Sequence, residues 1–386
     1  MLIERFRKPR TATQPDHGIV YRSESEFSGW PFLGGLWRIG SGQIVSAFTR
    51  LPCAYGGEAD VHHNNLTVSQ GLVSIIRSDD DGLTWKPDSV QTVFDKAMTA
   101  EEIAARGEPD YASEPAVDLQ SADTLVLSGG IPGLFVPSSK PWICLSADGG
   151  FTWRRPTLLD PESLGSLSGH ASVSVRADGV GLIALTRVTP DGWTRRPLVY
   201  ASVDGARTWN FLSFVTPEMD DGTAVSPREG SPRFGAHRYF YPRPLPLRDG
   251  RIICSMRSQR NPTGVLWTEI FESLDGGRTW SFLSRVNDWG APGDIVEMAD
   301  GRIVCVYGYR LAPFGVRARV SLDGGKTWES ELVLRDDGGS WDLGYPRVME
   351  VEPGRVMAVY YFNSKDDPVQ LNGGVRHVAR TIFTPD

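Results

Sequence analysis

The chain has 386 residues, 40 % of them hydrophobic, enough for a large core, and a net charge of −7 that excludes general nucleic-acid binding, which needs a basic face. No apolar run is long enough to span a membrane, and the opening Met1-LIERFRKPRTATQPDHG has no apolar signal core, so a cytoplasmic protein without a membrane partner is expected. Four scattered cysteines, Cys53, Cys144, Cys254 and Cys305, read as buried free thiols rather than disulfides, because the last three sit in apolar strand-like runs.

From the N-terminus onward the chain alternates two signals. The first is an apolar strand, a turn centred on Gly and a second apolar strand: WRIGSGQIVSAF, SVSVRADGVGLIALT, PLPLRDGRIICSM, DIVEMADGRIVCVYG and RVMEVEPGRVMAVYY, with AVDLQSADTLVLSG as the variant that has Asp123 at the turn. The second is an octapeptide, Ser78-DDDGLT-Trp85, Ser146-ADGGFT-Trp153, Ser202-VDGART-Trp209, Ser273-LDGGRT-Trp280 and Ser321-LDGGKT-Trp328. Its starts lie 68, 56, 71 and 48 residues apart, an architectural repeat with unequal loops. Each octapeptide reads as a tight turn. Ser and Asp satisfy backbone donors, Gly (Ala206 in the third copy) takes a positive φ, and Trp packs on the neighbouring unit.

From turn to octapeptide the count is 23 residues three times over, from 123 to 146, 179 to 202 and 250 to 273. Four antiparallel strands per repeat follow. The units read as 28–95, 110–162, 166–218, 236–288, 290–335 and 343–386, all in one domain spanning 1–386. The sixth stops where its outer strand is due, and the early segment Gly18-IVYRS (residues 18–23) is expected to supply it and close the ring. Residues 96–108 are the one helical-looking stretch, read as a surface excursion, and the polar loop 220–238 is a place for binding residues.

The octapeptides are Asp boxes, and with them the chain resembles the sialidase (neuraminidase) superfamily. The resemblance implies an all-β, six-bladed β-propeller of four-stranded antiparallel blades, with the Asp boxes at the blade periphery and the chemistry elsewhere. In such a fold the inner strands line a channel. Counting back nine residues from each turn gives Leu33 beside Phe32, Glu114, His170, Tyr241, Pro292 and Tyr345, with Arg243, Asp294 and Arg347 on the same strand faces. The ends of the following strands add Arg50, Arg187, Arg257 and Arg310, either an anion-facing ring or ion pairs between blades.

Sialidases use three arginines on the substrate carboxylate, a Tyr nucleophile paired with a Glu, and an Asp acid/base on a first-blade loop. By resemblance Tyr345, in Gly344-Tyr-Pro-Arg, is the nucleophile, and Arg257 and Arg310 belong to the clamp. Two positions depart from the pattern. Trp30-Pro-Phe-Leu stands where the family has Arg-Ile-Pro, and Tyr241 aligns with the assisting Glu, leaving Glu229 or Glu114 as substitutes. The first-blade loop offers Asp60, His62 and His63 for the acid and for substrate contacts. Trp30, Trp37, Trp289 and Trp341 lie near inner strands and are alternatives for stacking on a sugar.

The implied activity is a glycoside hydrolase, exo-sialidase-like, removing a terminal acidic sugar, with a carboxylate-bearing carbohydrate as partner and neither cofactor nor metal. Two alternatives stay open. One is a lyase acting on a uronate by β-elimination through His170 and Tyr241. The other is a non-catalytic carbohydrate-binding propeller.

Overall fold

The computed structural model describes residues 8–61, 71–105, 115–131, 140–188, 195–218, 238–259 and 266–386. Six mainly antiparallel sheets follow one another along the chain as the blades of a sialidase-like β-propeller. The inner strand of blade 1 comes in two pieces, Glu26–Gly29 and Gly35–Arg38, both paired with Ile44–Pro52; Leu72–Ser78 and Lys86–Asp95 complete the sheet. The described strands of blade 2 are Leu125–Ile131, Lys140–Ser146 and Thr157–Leu158. Blade 3 runs through Ser166–Val175, Gly181–Val188, Arg195–Ser202 and Asn210–Phe214, and blade 4 through Arg238–Pro246, Ile252–Gln259, Leu266–Ser273 and Ser281–Arg285. Blade 5 is Gly293–Glu297, Ile303–Tyr309, Gly315–Ser321 and Leu332–Arg335, and blade 6 is Gly344–Glu352, Arg355–Phe362 and His377–Thr384.

The fourth strand of blade 6 comes from the other end of the chain. Thr13–Tyr21 pairs antiparallel with His377–Thr384, and Arg10–Thr11 pairs in parallel with Leu332–Val333 of blade 5. One segment therefore seals two blades and satisfies the edge groups of both. The stretch after blade 1 forms a short helix, Ala100–Ala105, whose Ile103 is buried against Phe94 and Trp142.

Each sheet is covered on both faces by its neighbours, so in blades 1, 3 and 4 the second strand is buried along nearly its whole length rather than alternating. In Ile44–Pro52, Val45 and Ala47 join a cluster with Leu125 and Cys144 of blade 2, whereas Ile44 and Phe48 join one with Met357 and Val359 of blade 6. All four cysteines are free and buried.

The Asp boxes share one geometry. In the fourth, Ser273 Oγ donates to Asp275 Oδ1 (2.8 Å) and accepts the Gly277 N–H (2.8 Å), while Asp275 accepts the Thr279 N–H (2.9 Å) and hydroxyl (2.6 Å). The Thr279 hydroxyl is the main reason the Asp275 carboxyl is held down to about 2. The residue at the fifth position has positive φ in every copy, 84° at Gly82 and 64° at Ala206, so the third box places a Cβ where glycine is preferred. Trp280 Nε1 and Trp328 Nε1 each reach the preceding blade, donating to Ser213 Oγ and Ser284 Oγ at 3.0 Å; those hydroxyls donate to Gly277 O and Gly325 O at 2.5 Å. The tryptophan is thus an inter-blade clamp as well as a packing ring.

Candidate active site

The inner strands of three blades break register at the same level: between Gly169 and Val173 in blade 3, Phe240 and Arg243 in blade 4, and Gly344 and Arg347 in blade 6. The bulges turn Tyr241 to φ 55° and Tyr345 to φ 50°. Left-handed backbone at a bulky residue costs roughly 1–2 kcal/mol and concentrates at functional positions. Here it brings two buried phenols together from blades 4 and 6. Tyr241 and Tyr345 hydroxyls are 3.0 Å apart and their rings meet edge to face at 5.3 Å. Phe32, on the turn Pro31–Leu33 that splits the inner strand of blade 1, packs edge-on against both rings at 5.9 and 6.4 Å.

Arginines flank the pair. The Arg257 guanidinium lies 5.2 Å from the Phe240 ring and 5.9 Å from that of Tyr241, with Nη2 donating to Gln259 Oε1 at 2.7 Å. Arg310 lies 5.2 Å from the Tyr345 ring and 5.7 Å from Trp341, with Nη2 donating to Leu343 O at 3.2 Å. The Nε of each is buried and has no hydrogen-bond partner among the described residues. Burial, then the neighbouring Tyr345, pushes the Tyr241 phenol well above its ordinary range against the pull of Arg257 and Arg195. For Arg310, burial opposes the charge, but Tyr361, Tyr345 and Asp342 outweigh it and raise its pKa.

Several site residues escaped the sequence reading. Arg195 lies 4.6 Å from the Phe240 ring, at the start of a strand, whereas the arginines expected from the sequence stand at strand ends. Asp342, three residues before Tyr345, is fully buried and accepts the Tyr361 hydroxyl (2.5 Å) and Arg376 Nε (3.2 Å). Arg376 also donates to Gly374 O (2.7 Å), Asn372 O (2.8 Å) and Ser340 Oγ (3.2 Å), so it serves as a rigid wall. A polar loop residue so close to an inner strand was the available signal for Asp342.

The remaining expected residues have separate placements. Arg243 and Arg347 converge on buried Asp294, at 2.8 and 3.5 Å, and Asp294 also accepts the Val348 N–H at 2.9 Å. Burial, then Arg243, pushes Arg347 down to about 9. This cluster ties blades 4, 5 and 6 together. Arg50 is paired with Glu26 (2.9 Å) and bonded to Ser74 (3.1 Å) and Thr92 (3.3 Å), and Arg187 donates to Leu164 O at 3.1 Å. Asp60 is exposed on the turn Glu58–Val61 and accepts the N–H groups of Gly56 and Gly57, each at 3.0 Å. The adjoining Val61 packs in the same apolar cluster as Tyr241 and Tyr345.

His170 follows Gly169 at the blade 3 bulge, the register equivalent of Tyr241 and Tyr345. Glu114, Glu229, His62 and His63 lie outside the described residues. Trp30, one of the four stacking alternatives, is buried and stacked on Phe27 at 4.8 Å, which removes it from any sugar face, whereas Trp341 is 41 % exposed beside Arg310. Among the described residues no group of three His, Cys, Asp or Glu side chains could hold a metal ion, and no helix is long and apolar enough to cross a membrane.

Fold and site together define a sialidase-like propeller with a Tyr–Tyr pair between arginines. The chain belongs to the BNR repeat-like domain family, whose model matches residues 73–358. No curated protein matches it. Among solved structures it is similar to a protein of unknown function from Dyadobacter fermentans (TM-score 0.69, 21 % identity, 96 % of this chain and 98 % of that one). It is also similar to Trypanosoma rangeli sialidase in complex with sialic acid (0.59, 15 %, 97 % of this chain) and spans 59 % of that protein's length. A third is the Penicillium chrysogenum α-L-arabinanase complexed with arabinobiose (0.57, 13 %, 98 % and 99 %).

Proposed function

We propose that the protein is a glycoside hydrolase that releases a terminal sugar bearing a carboxylate. The observation that carries this reading is the 3.0 Å contact between Tyr345 and Tyr241 hydroxyls with Arg310 and Arg257 on either side. Tyr345 Oη attacks the anomeric carbon as its own proton passes to solvent water, forming a C–O bond as the bond to the leaving oxygen breaks, and Asp60 gives the leaving oxygen its proton. Water, its proton taken by Asp60, then attacks the anomeric carbon and releases the sugar, and the departing Tyr345 oxygen regains a proton from solvent. Tyr241 holds its proton, since burial raises its pKa, and donates it as a hydrogen bond to the Tyr345 oxygen; Arg257 and Arg310 stabilise that oxygen's charge and hold the sugar carboxylate. Two successive displacements retain the anomeric configuration.

A 2-fluoro derivative of the cleaved glycoside is expected to label Tyr345, located by peptide mass mapping. Unlabelled Tyr345 during full turnover would sink this assignment.

A second reading has one observation in its favour: the partner of Tyr345 is a phenol, not a carboxylate. Tyr241 beside Arg195 and Arg257 suits proton transfer in β-elimination from a uronate, with His170 as the other proton-transfer group. That reaction would leave an unsaturated uronate absorbing in the ultraviolet.

A further inference from the structure

Between the outer strand of blade 3 and the Asp-box side of blade 4 lies a cleft of about 770 Å³, within the range of small-ligand pockets. Its walls are aromatic. On one side Phe211 and Phe214 meet edge to face at 5.2 Å; on the other Tyr239, Phe271 and Phe282 form a chain of edge-to-face contacts at 5.7 and 5.8 Å. Phe282 is 56 % exposed. Arg196 lies 3.8 Å from the Phe214 ring and is anchored through Nε to Thr216 O at 3.0 Å. Glu269 lies at the floor, its Oε1 accepting Trp267 Nε1 at 2.6 Å, with its carboxyl pushed up mainly by burial.

The molecule contains its own comparison. The corresponding cleft between blades 4 and 5 has nearly the same volume, about 710 Å³, but beside Phe282 and Trp328 it is lined by Arg285, Asp288, Arg319, Lys326 and Glu329. The repeat architecture thus supplies the space, and of the two clefts the one between blades 3 and 4 carries more rings and fewer charged groups. The aromatic cleft uses the same two strands that carry Tyr241 and Arg195. Tyr239 lines it two residues before Tyr241, and Arg196 lines it one residue after Arg195, which faces Phe240.

We propose that the cleft between blades 3 and 4 binds neutral pyranose units of a glycan. The apolar face of a pyranose stacks on the exposed ring of Phe282, while its equatorial hydroxyls take the hydrogen bonds of Arg196, Thr279 and Ser281. The cleft's charged groups are Arg196, Arg278 and Glu269, and its rings outnumber them, which suits an uncharged sugar. The site holds glycan without cleaving it and does not depend on the hydrolase reading.

The test is saturation-transfer NMR with cellohexaose, mannohexaose and β-1,4-galactotetraose on the full chain carrying Tyr345→Phe, so that no turnover intervenes. At least one oligosaccharide is expected to show transfer, and adding Phe282→Ala, or Arg196→Ala in this cleft alone, is expected to weaken its binding roughly five- to tenfold, as loss of one stacking ring or one guanidinium would. Phe282→Tyr is expected to restore it, and Phe282→Ala alone is expected to leave turnover of a small aryl glycoside unchanged. Absence of transfer with all three sugars, or binding indifferent to Phe282→Ala or to Arg196→Ala, would overturn the proposal.

Discussion

Tyr241 and Tyr345 occupy left-handed backbone, and the bulges that hold them there are what place two phenols within hydrogen-bond distance. The sequence shows the tyrosines through their spacing to the blade turns. It does not show the bulge, because a bulge is a property of a strand and its partner together. Asp342 and Arg376 were invisible for a related reason: they lie on connections, outside the strand count. At this scale the clearest measurable quantity is His377. Burial pushes its imidazole down to about 4 from 6.5, and its Nδ1 bonds Val375 O at 3.0 Å. The unfolded chain takes up that proton below pH 6.5 and the folded chain does not, so stability is lost as pH falls from 6.5 towards 4. The loss is about 3 kcal/mol for such a shift. Thermal unfolding between pH 7 and 4 should show this decline, flattened in His377→Gln; an equally steep decline in the variant would remove His377 as its source. The Asp-box carboxylates act in a lower window, as Asp275 illustrates with a pKa near 2.

At the scale of the element, the Asp box was legible almost entirely. Ser, Asp, Gly, Thr and Trp at fixed spacing specify a turn through local hydrogen bonds, which need nothing distant. What the spacing did not contain was the partner of the tryptophan, since Ser213 and Ser284 belong to the preceding blade. The clamp predicts that Ser284→Ala leaves Trp328 Nε1 and Gly325 O each short of a partner and costs about 1–3 kcal/mol. Urea unfolding measures it. A loss no greater than that from an exposed Ser→Ala change would show the clamp to be energetically idle. The arginine ring was only half legible. Arg257 and Arg310 flank the tyrosines, whereas Arg50 sits at an equivalent strand end and is taken by Glu26. Strand position gives the height of a side chain in the blade but not its partner.

At the scale of the molecule, the repeat reports the number of blades, and closure depends on a segment distant in sequence. Thr13–Tyr21 covers the edge of His377–Thr384, and Arg10–Thr11 covers that of Leu332–Arg335. Deleting residues 8–22 would expose both edges at once, so the truncated chain is expected to unfold at lower temperature and to associate through those strands. Size-exclusion chromatography with thermal melting tests this, and a monomer with unchanged melting would refute it.

The ring so closed brings side chains from blades 4 and 6 to one channel mouth, and the hydrolytic role of that mouth is the central claim. Its most direct test is turnover of aryl glycosides of sialic acid and of the uronic acids by wild type, Tyr345→Phe and Arg257→Ala. The account predicts release of the aryl group from an acidic glycoside by wild type and its loss, by a factor of roughly 100 or more, in both variants. Undiminished turnover in Tyr345→Phe, or a wild type inert towards every acidic glycoside, would contradict it.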